Sequence, residues 1–151
     1  MDFTNFSAVL TVYRHNFKIL HWGASGKKFD RIHKLADEYA DMVAADLDVV
    51  AEMALRNGQS PCSMNNAVEI LHNIDGNFLV MDFNNHISYE EFCASTSAML
   101  TSILSCISQL HESELVNNPI NIGIKSDLEA MFAKYDLQAR YLNARRMDKS
   151  E

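Results

Sequence analysis

Between residues 30 and 52 of this 151-residue chain, His33, Asp37, Asp41, Asp48 and Glu52 recur at helical spacing. With successive helical residues about 100° apart and Asp37 at zero, His33 falls near about −40° and Asp48, Asp41 and Glu52 near about +20°, +40° and +60°. These ionisable side chains therefore share one arc of about 100°. Leu35, Tyr39, Met42, Val43, Val49, Val50 and Met53 lie on the other side and cover the helix there. One reading of such a stripe is a solvated acidic face. The imidazoles point further. His21 ends the preceding apolar segment in Leu20-His21-Trp22, just before a glycine-marked break at 23–26, and can approach the start of the stripe. Two imidazoles with several carboxylates suit Fe(II) or a similar borderline divalent ion. A solvating face has no need of imidazole.

Distance constrains the chemistry. Fifteen residues separate His33 from Asp48, which is ~22 Å along a helix. They cannot bind one metal within one chain. His33/Asp37 and Asp48/Glu52 are each an i,i+4 pair, and the two pairs would meet if two copies of the helix ran antiparallel across a two-fold axis. The spacing permits two equivalent sites per dimer, each with His21, His33 and Asp37 from one subunit and Asp48 and Glu52 from its partner.

Four long periodic segments must position these residues. In the first, Phe6, Val9, Leu10, Tyr13, Phe17 and Leu20 step by three and four. The second runs from about Phe29 to Asn57 and stops at Gly58. The third opens on a Ser88/Glu91 capping box and carries Phe92, Thr96, Met99, Ile103, Cys106 and Leu110. The fourth is expected to start at Asn118-Pro119 and to bury Leu128, Phe132, Tyr135, Ala139 and Leu142. A connection of about five residues makes the first two helices antiparallel neighbours. Residues 58–87 can span the bundle, with a short helix at 65–72 and an aperiodic apolar patch, Phe78-Leu79-Val80-Met81. The expectation is an all-α, ferritin-like four-helix bundle in a single domain, 1–151, whose one long crossover carries a short helix.

Leu20-His21-Trp22, then Gly26, Phe29, His33, Asp37 and Asp48-x-x-x-Glu52 ahead of Arg56 and Gly58, resembles the ferroxidase motif of the mini-ferritins called Dps (DNA-binding protein from starved cells). The match covers residues 17–58, with ligand spacings of 12, 4, 11 and 4 from His21 onward. The resemblance implies two-fold dimers assembled into a dodecameric shell, with di-iron sites shared between subunits. It implies a ferroxidase that oxidises Fe(II) to Fe(III), preferentially with hydrogen peroxide rather than dioxygen, stores the ferric product inside, and protects against oxidative stress. The ligands carried over are His21, His33 and Asp37 of one subunit and Asp48 and Glu52 of the neighbour. Trp22 would be the redox-active aromatic beside them, or else an apolar anchor at the helix end. Gly23 departs from the polar residue that often follows the His-Trp pair. The family's lysine-rich N-terminal extension has no counterpart here, so DNA binding is not carried over.

Composition supports this frame. A net charge of −7 argues against nucleic-acid binding through the general surface. Residues 30–52 hold seven carboxylates, Asp46 among them, against Arg31 and Lys34. The end of the chain is mildly basic through Arg140, Arg145, Arg146 and Lys149, which suits helix-dipole compensation. It also motivates the alternative of a structural or DNA-associating assembly with little ferroxidase activity. Five Gly and two Pro leave the long segments helical, and no run of about 18 apolar residues predicts a membrane span. Cys62, Cys93 and Cys106 form no CxxC and are expected as reduced thiols in a cytoplasmic protein, Cys106 in the core and Cys62 exposed. Glu69-x-x-His72 has di-iron spacing, but a lone pair on a short helix is read as surface coincidence. His15, His86 and His111 have no carboxylate at ligand spacing and are read as satisfied polar residues.

Overall fold

The apolar periodicity resolves into five helices in a computed structural model that describes residues 1–74 and 77–147. They are α1 (Phe3–Gly23), α2 (Phe29–Arg56), the short α3 (Ala67–Asn73), α4 (Tyr89–Glu112) and α5 (Ile122–Met147). The described residues contain no strand, only an isolated bridge between Ala24 and Ile87. The four long helices form the bundle, and α3 lies on the crossover between α2 and α4.

Helix α1 is the most enclosed. Phe6, Val9, Leu10, Tyr13, Phe17 and Leu20 are all fully buried, as their spacing predicts. It begins at Asp2, whose carboxylate accepts the Asn5 N–H at 2.7 Å. Contacts that pair His21 with His33 and Lys18 with Asp37 show that α2 runs back antiparallel to it. Gly26 turns the chain between them with φ at +85°, a conformation side-chain-bearing residues rarely adopt.

On α2, Tyr39, Val43, Val50 and Met53 are buried, which leaves the stripe on the outer face. Tyr39 joins the layers, 5.4 Å from the Phe17 ring and 6.5 Å from Phe92. The seam predicted on α4 is buried at every position, and Ser88 caps the helix by accepting the Glu91 N–H at 3.2 Å. By length and composition α4 alone among the described helices could cross a bilayer, although it holds no run of about 18 consecutive apolar residues. Its apolar side is spent on the core.

Helix α5 departs from expectation in two ways. Asn118 caps a 3-10 turn, Pro119–Asn121, and the α-helix starts only at Ile122. Its buried seam is Ile124, Leu128, Met131, Tyr135 and Leu142. Phe132 is 39% exposed and Ala139 half-buried, because Met131 takes the inward place that 4-3 counting assigned to Phe132.

The crossover runs the length of α1. Thr4 Oγ1 donates to the Ser60 carbonyl at 2.7 Å, and the Cys62 N–H donates to Ser7 Oγ at 2.8 Å. Midway, the buried Asn16 amide grips the aperiodic patch: its Nδ2 donates to the Leu79 carbonyl at 2.8 Å, and its Oδ1 accepts the Met81 N–H at 3.1 Å. An extended segment with no ladder of its own thus has backbone groups paired by one side chain. At the far end Ile87 donates its N–H to the Gly23 carbonyl at 2.8 Å and accepts the Ser25 N–H at 3.0 Å.

Cys106 is fully buried, and burial pushes its thiol up to about 12. Cys62 is half-buried rather than exposed, with its sulfur 3.3 Å from Thr11 Oγ1. None of Cys62, Cys93 and Cys106 is in a disulfide.

Candidate metal centre

The last turn of α1 and the first turns of α2 bring His21 and His33 together as a reciprocal pair. His21 Nδ1 donates to the His33 carbonyl at 2.6 Å, and His33 Nδ1 donates to the His21 carbonyl at 3.0 Å. A carbonyl can only accept, so each Nδ1 carries its proton and each Nε2 keeps a lone pair in the neutral ring. The rings stack with centroids 3.7 Å apart and planes 20° from parallel. Imidazoles that bind metals are commonly held this way, with the non-ligating nitrogen donating to a carbonyl. The donor set fits a divalent ion.

One turn along α2, Asp37 meets Lys18, whose ammonium lies 2.5 Å from Oδ1. The Lys18 hydrogen bond, helped by the ammonium's charge, holds the Asp37 carboxyl below the usual carboxylate range. Lys18 escaped the sequence reading, although it sits on the α1 turn that leads to His21 and its i,i+3 spacing was the available signal.

The other pair expected as ligands lies apart. Asp48 and Glu52 are exposed near the end of α2, and among the described residues neither has a hydrogen-bond or ion-pair partner. Among the described residues, no group of three or more His, Cys, Asp or Glu converges within one chain to hold a metal. The two pairs expected as ligands, His33/Asp37 and Asp48/Glu52, lie ~22 Å apart along α2 and remain unjoined in the single chain.

Asp46 is not part of this face. It is 6% exposed and turned toward α5, where Tyr135 donates its hydroxyl to Oδ2 at 2.5 Å and Lys134 Nζ approaches at 2.7 Å. Nine residues from Asp37 is half a helical rotation from the stripe, so a charge count over 30–52 mixes two faces. Burial and the Asp46 carboxylate both push the Tyr135 hydroxyl pKa upward.

Trp22 is 56% exposed and meets the His15 ring edge-on at 5.9 Å, so His15 has an aromatic neighbour. His111 does have a carboxylate partner, Glu129 at 3.1 Å, which sequence spacing missed because it belongs to another helix. His86, Glu69 and His72 are exposed. Arg140 pairs with Asp136 at 3.0 Å on its own helix, while Lys149 and the side chains of Arg145 and Arg146 lie outside the described residues.

Gly23 links the centre to the crossover. A Cβ there would stand 1.9 Å from the Asn84 carbonyl oxygen and 2.8 Å from Ile87 Cγ1, so any side chain would push the crossover away. The departure at this position has a backbone cause.

No protein-family profile matches the chain, and no curated protein does. Solved structures do. Antigen TpF1 from Treponema pallidum superposes with a TM-score of 0.81 at 19% identity, covering 95% of this chain and 87% of that one. Dps from Vibrio cholerae O1, described as a member of a broad superfamily of ferritin-like diiron-carboxylate proteins, gives 0.79 at 17% identity over 94% of this chain and 84% of that one. Dps from Staphylococcus aureus gives 0.76 at 18%, covering 95% and 91%. The chain therefore folds as the Dps proteins do, in a ferritin-like four-helix bundle with one long crossover between its second and third long helices.

Proposed function

We propose that this chain is a ferroxidase and iron-storage protein whose centre is completed by a second copy. The observation that carries the reading is the reciprocal His21–His33 pair beside Asp37, with the carboxylates Asp48 and Glu52 further along α2 without a partner among the described residues. An antiparallel copy of α2 would bring its Asp48 and Glu52 to the histidine end, giving each site two imidazoles and three carboxylates. Iron is the substrate. Two ferrous ions each give one electron to hydrogen peroxide, the O–O bond breaks, two protons are taken up and two waters leave, so no hydroxyl radical is released.

The chain's own residues have separate tasks in this reading. The carbonyl-held imidazoles offer Nε2 without prior reorganisation. Lys18 neutralises Asp37 before iron arrives and must give way when a cation takes that carboxylate. Carboxylates from both copies would repel one another with no cation between them, so metal strengthens the dimer. Trp22 is the oxidisable aromatic next to the site. Two-fold dimers built into a dodecameric shell, a mineral store inside it, protection from oxidative stress and a cytoplasmic location complete the proposal; they rest on the motif and the shared fold. Anaerobic Fe(II) loading followed by peroxide tests it. Ferric absorbance is expected in the parent protein and its loss in His33→Ala and Asp48→Ala; equal oxidation in all three removes the assignment.

A further inference from the structure

Phe29 is the first residue of α2 and remains 43% exposed, outside the core cluster. Its ring has another partner. It stacks on His33 with centroids 5.3 Å apart and planes 21° from parallel. Among the described residues Phe29 has no ring contact with His21, which stacks on His33 at 3.7 Å, so His33 is the middle ring of three. The torsion about an imidazole's outer bond is broad, and one hydrogen bond from Nδ1 leaves the ring free to swing about that bond. Stacking against two neighbouring rings opposes the swing.

We propose that Phe29 is a positioning residue for His33, holding the imidazole plane so that the Nδ1–carbonyl bond persists and Nε2 stays the ligating nitrogen. The inference rests on the metal reading above, and its test separates the two. Phe29→Tyr keeps the ring, whereas Phe29→Leu keeps apolar bulk without one; at an exposed first helical position both should fold. The first readout is the His33 tautomer in metal-free, sedimented protein by solid-state 15N NMR, with His33→Gln identifying the signal. The second is the affinity of the assembled protein for Co(II), a redox-inert probe, followed by its visible absorption. The parent and Phe29→Tyr are expected to show a single Nδ1–H tautomer and equal Co(II) affinity. Phe29→Leu should show mixed tautomers and roughly tenfold weaker Co(II) binding with a changed spectrum, as for loss of an outer-shell partner. An unchanged tautomer in Phe29→Leu overturns the positioning role, and so does mixed tautomer with undiminished Co(II) binding. Failure of the parent to bind Co(II) overturns the metal reading instead, and the tautomer still decides what Phe29 does to His33.

Discussion

The two ends of α2 carry equally polar residues in opposite states. At the N-terminal end His21, His33 and Asp37 all have partners: two carbonyls, a stacked ring and the Lys18 ammonium. At the C-terminal end Asp48 and Glu52 have none among the described residues, and as an i,i+4 pair of like charges they disfavour their own helix by about 0.2–0.5 kcal/mol. One end is built to hold a geometry, and the other only supplies charge. In the proposed dimer a second copy lays its Asp48/Glu52 end over the first one's histidine end.

The sharpest way to break the comparison is to disable each end separately. His21→Ala/His33→Ala and Asp48→Ala/Glu52→Ala chains should each lose peroxide-driven iron oxidation by more than roughly 100-fold, beyond the usual cost of an outer-shell partner. Co-refolded, they should regain part of it, because a mixed dimer holds one intact and one doubly damaged site. Stopped-flow absorbance on mass-verified mixed assemblies checks this, and no rescue ends the shared-site idea.

The inward face of α2 gives the second contrast. Tyr135→Phe strips the buried Asp46 carboxylate of a hydrogen bond and should cost about 2 kcal/mol in urea unfolding, the range for bonds to charged groups, with the iron chemistry intact. Because Tyr135 is raised above its unfolded value near about 10, the folded protein keeps a proton there that the unfolded chain releases. Stability should therefore hold below about pH 10 and fall above it, less steeply in Tyr135→Phe.

Gly23→Ala forces a methyl against the Asn84 carbonyl. It should cost about 1–3 kcal/mol, as overpacking does, and disturb the histidine end while leaving the Asp48 end unaltered. Amide exchange resolved along α2 would show the difference. The smallest expected effect sharpens the role of Lys18. Lys18→Met frees Asp37 from a competing cation and should tighten Co(II) binding by at most about fivefold, the worth of an exposed ion pair, with the gain shrinking at high salt. Calorimetric titration at two salt concentrations measures it.

Much of the fold is legible in apolar periodicity, because burying a face requires residues at three- and four-residue steps whatever the face packs on. That rule holds on α1 and α4 and slips on α5, where Met131 and Phe132 are adjacent, both apolar, and only packing chooses between them. The histidine end of the stripe is readable for a similar reason: 12 residues from His21 through a tight turn to His33 leave little freedom. The path of the crossover's extended part is not readable, since its order comes from Asn16 amide bonds across more than sixty residues of sequence, and nothing local to 79–81 signals them.

By itself, then, the sequence determined the helices, their antiparallel first pair and the ionisable residues that share one face of α2, all of which follow from local spacing and the 1.5 Å rise per residue. Only the tertiary structure decided which nitrogen each imidazole keeps free, that Lys18 already occupies Asp37, that Asp46 turns inward to Tyr135, and why residue 23 is glycine. Each of these depends on the approach of groups from different elements, through directional hydrogen bonds or the space a Cβ would need. Spacing along one helix carries no information about such contacts.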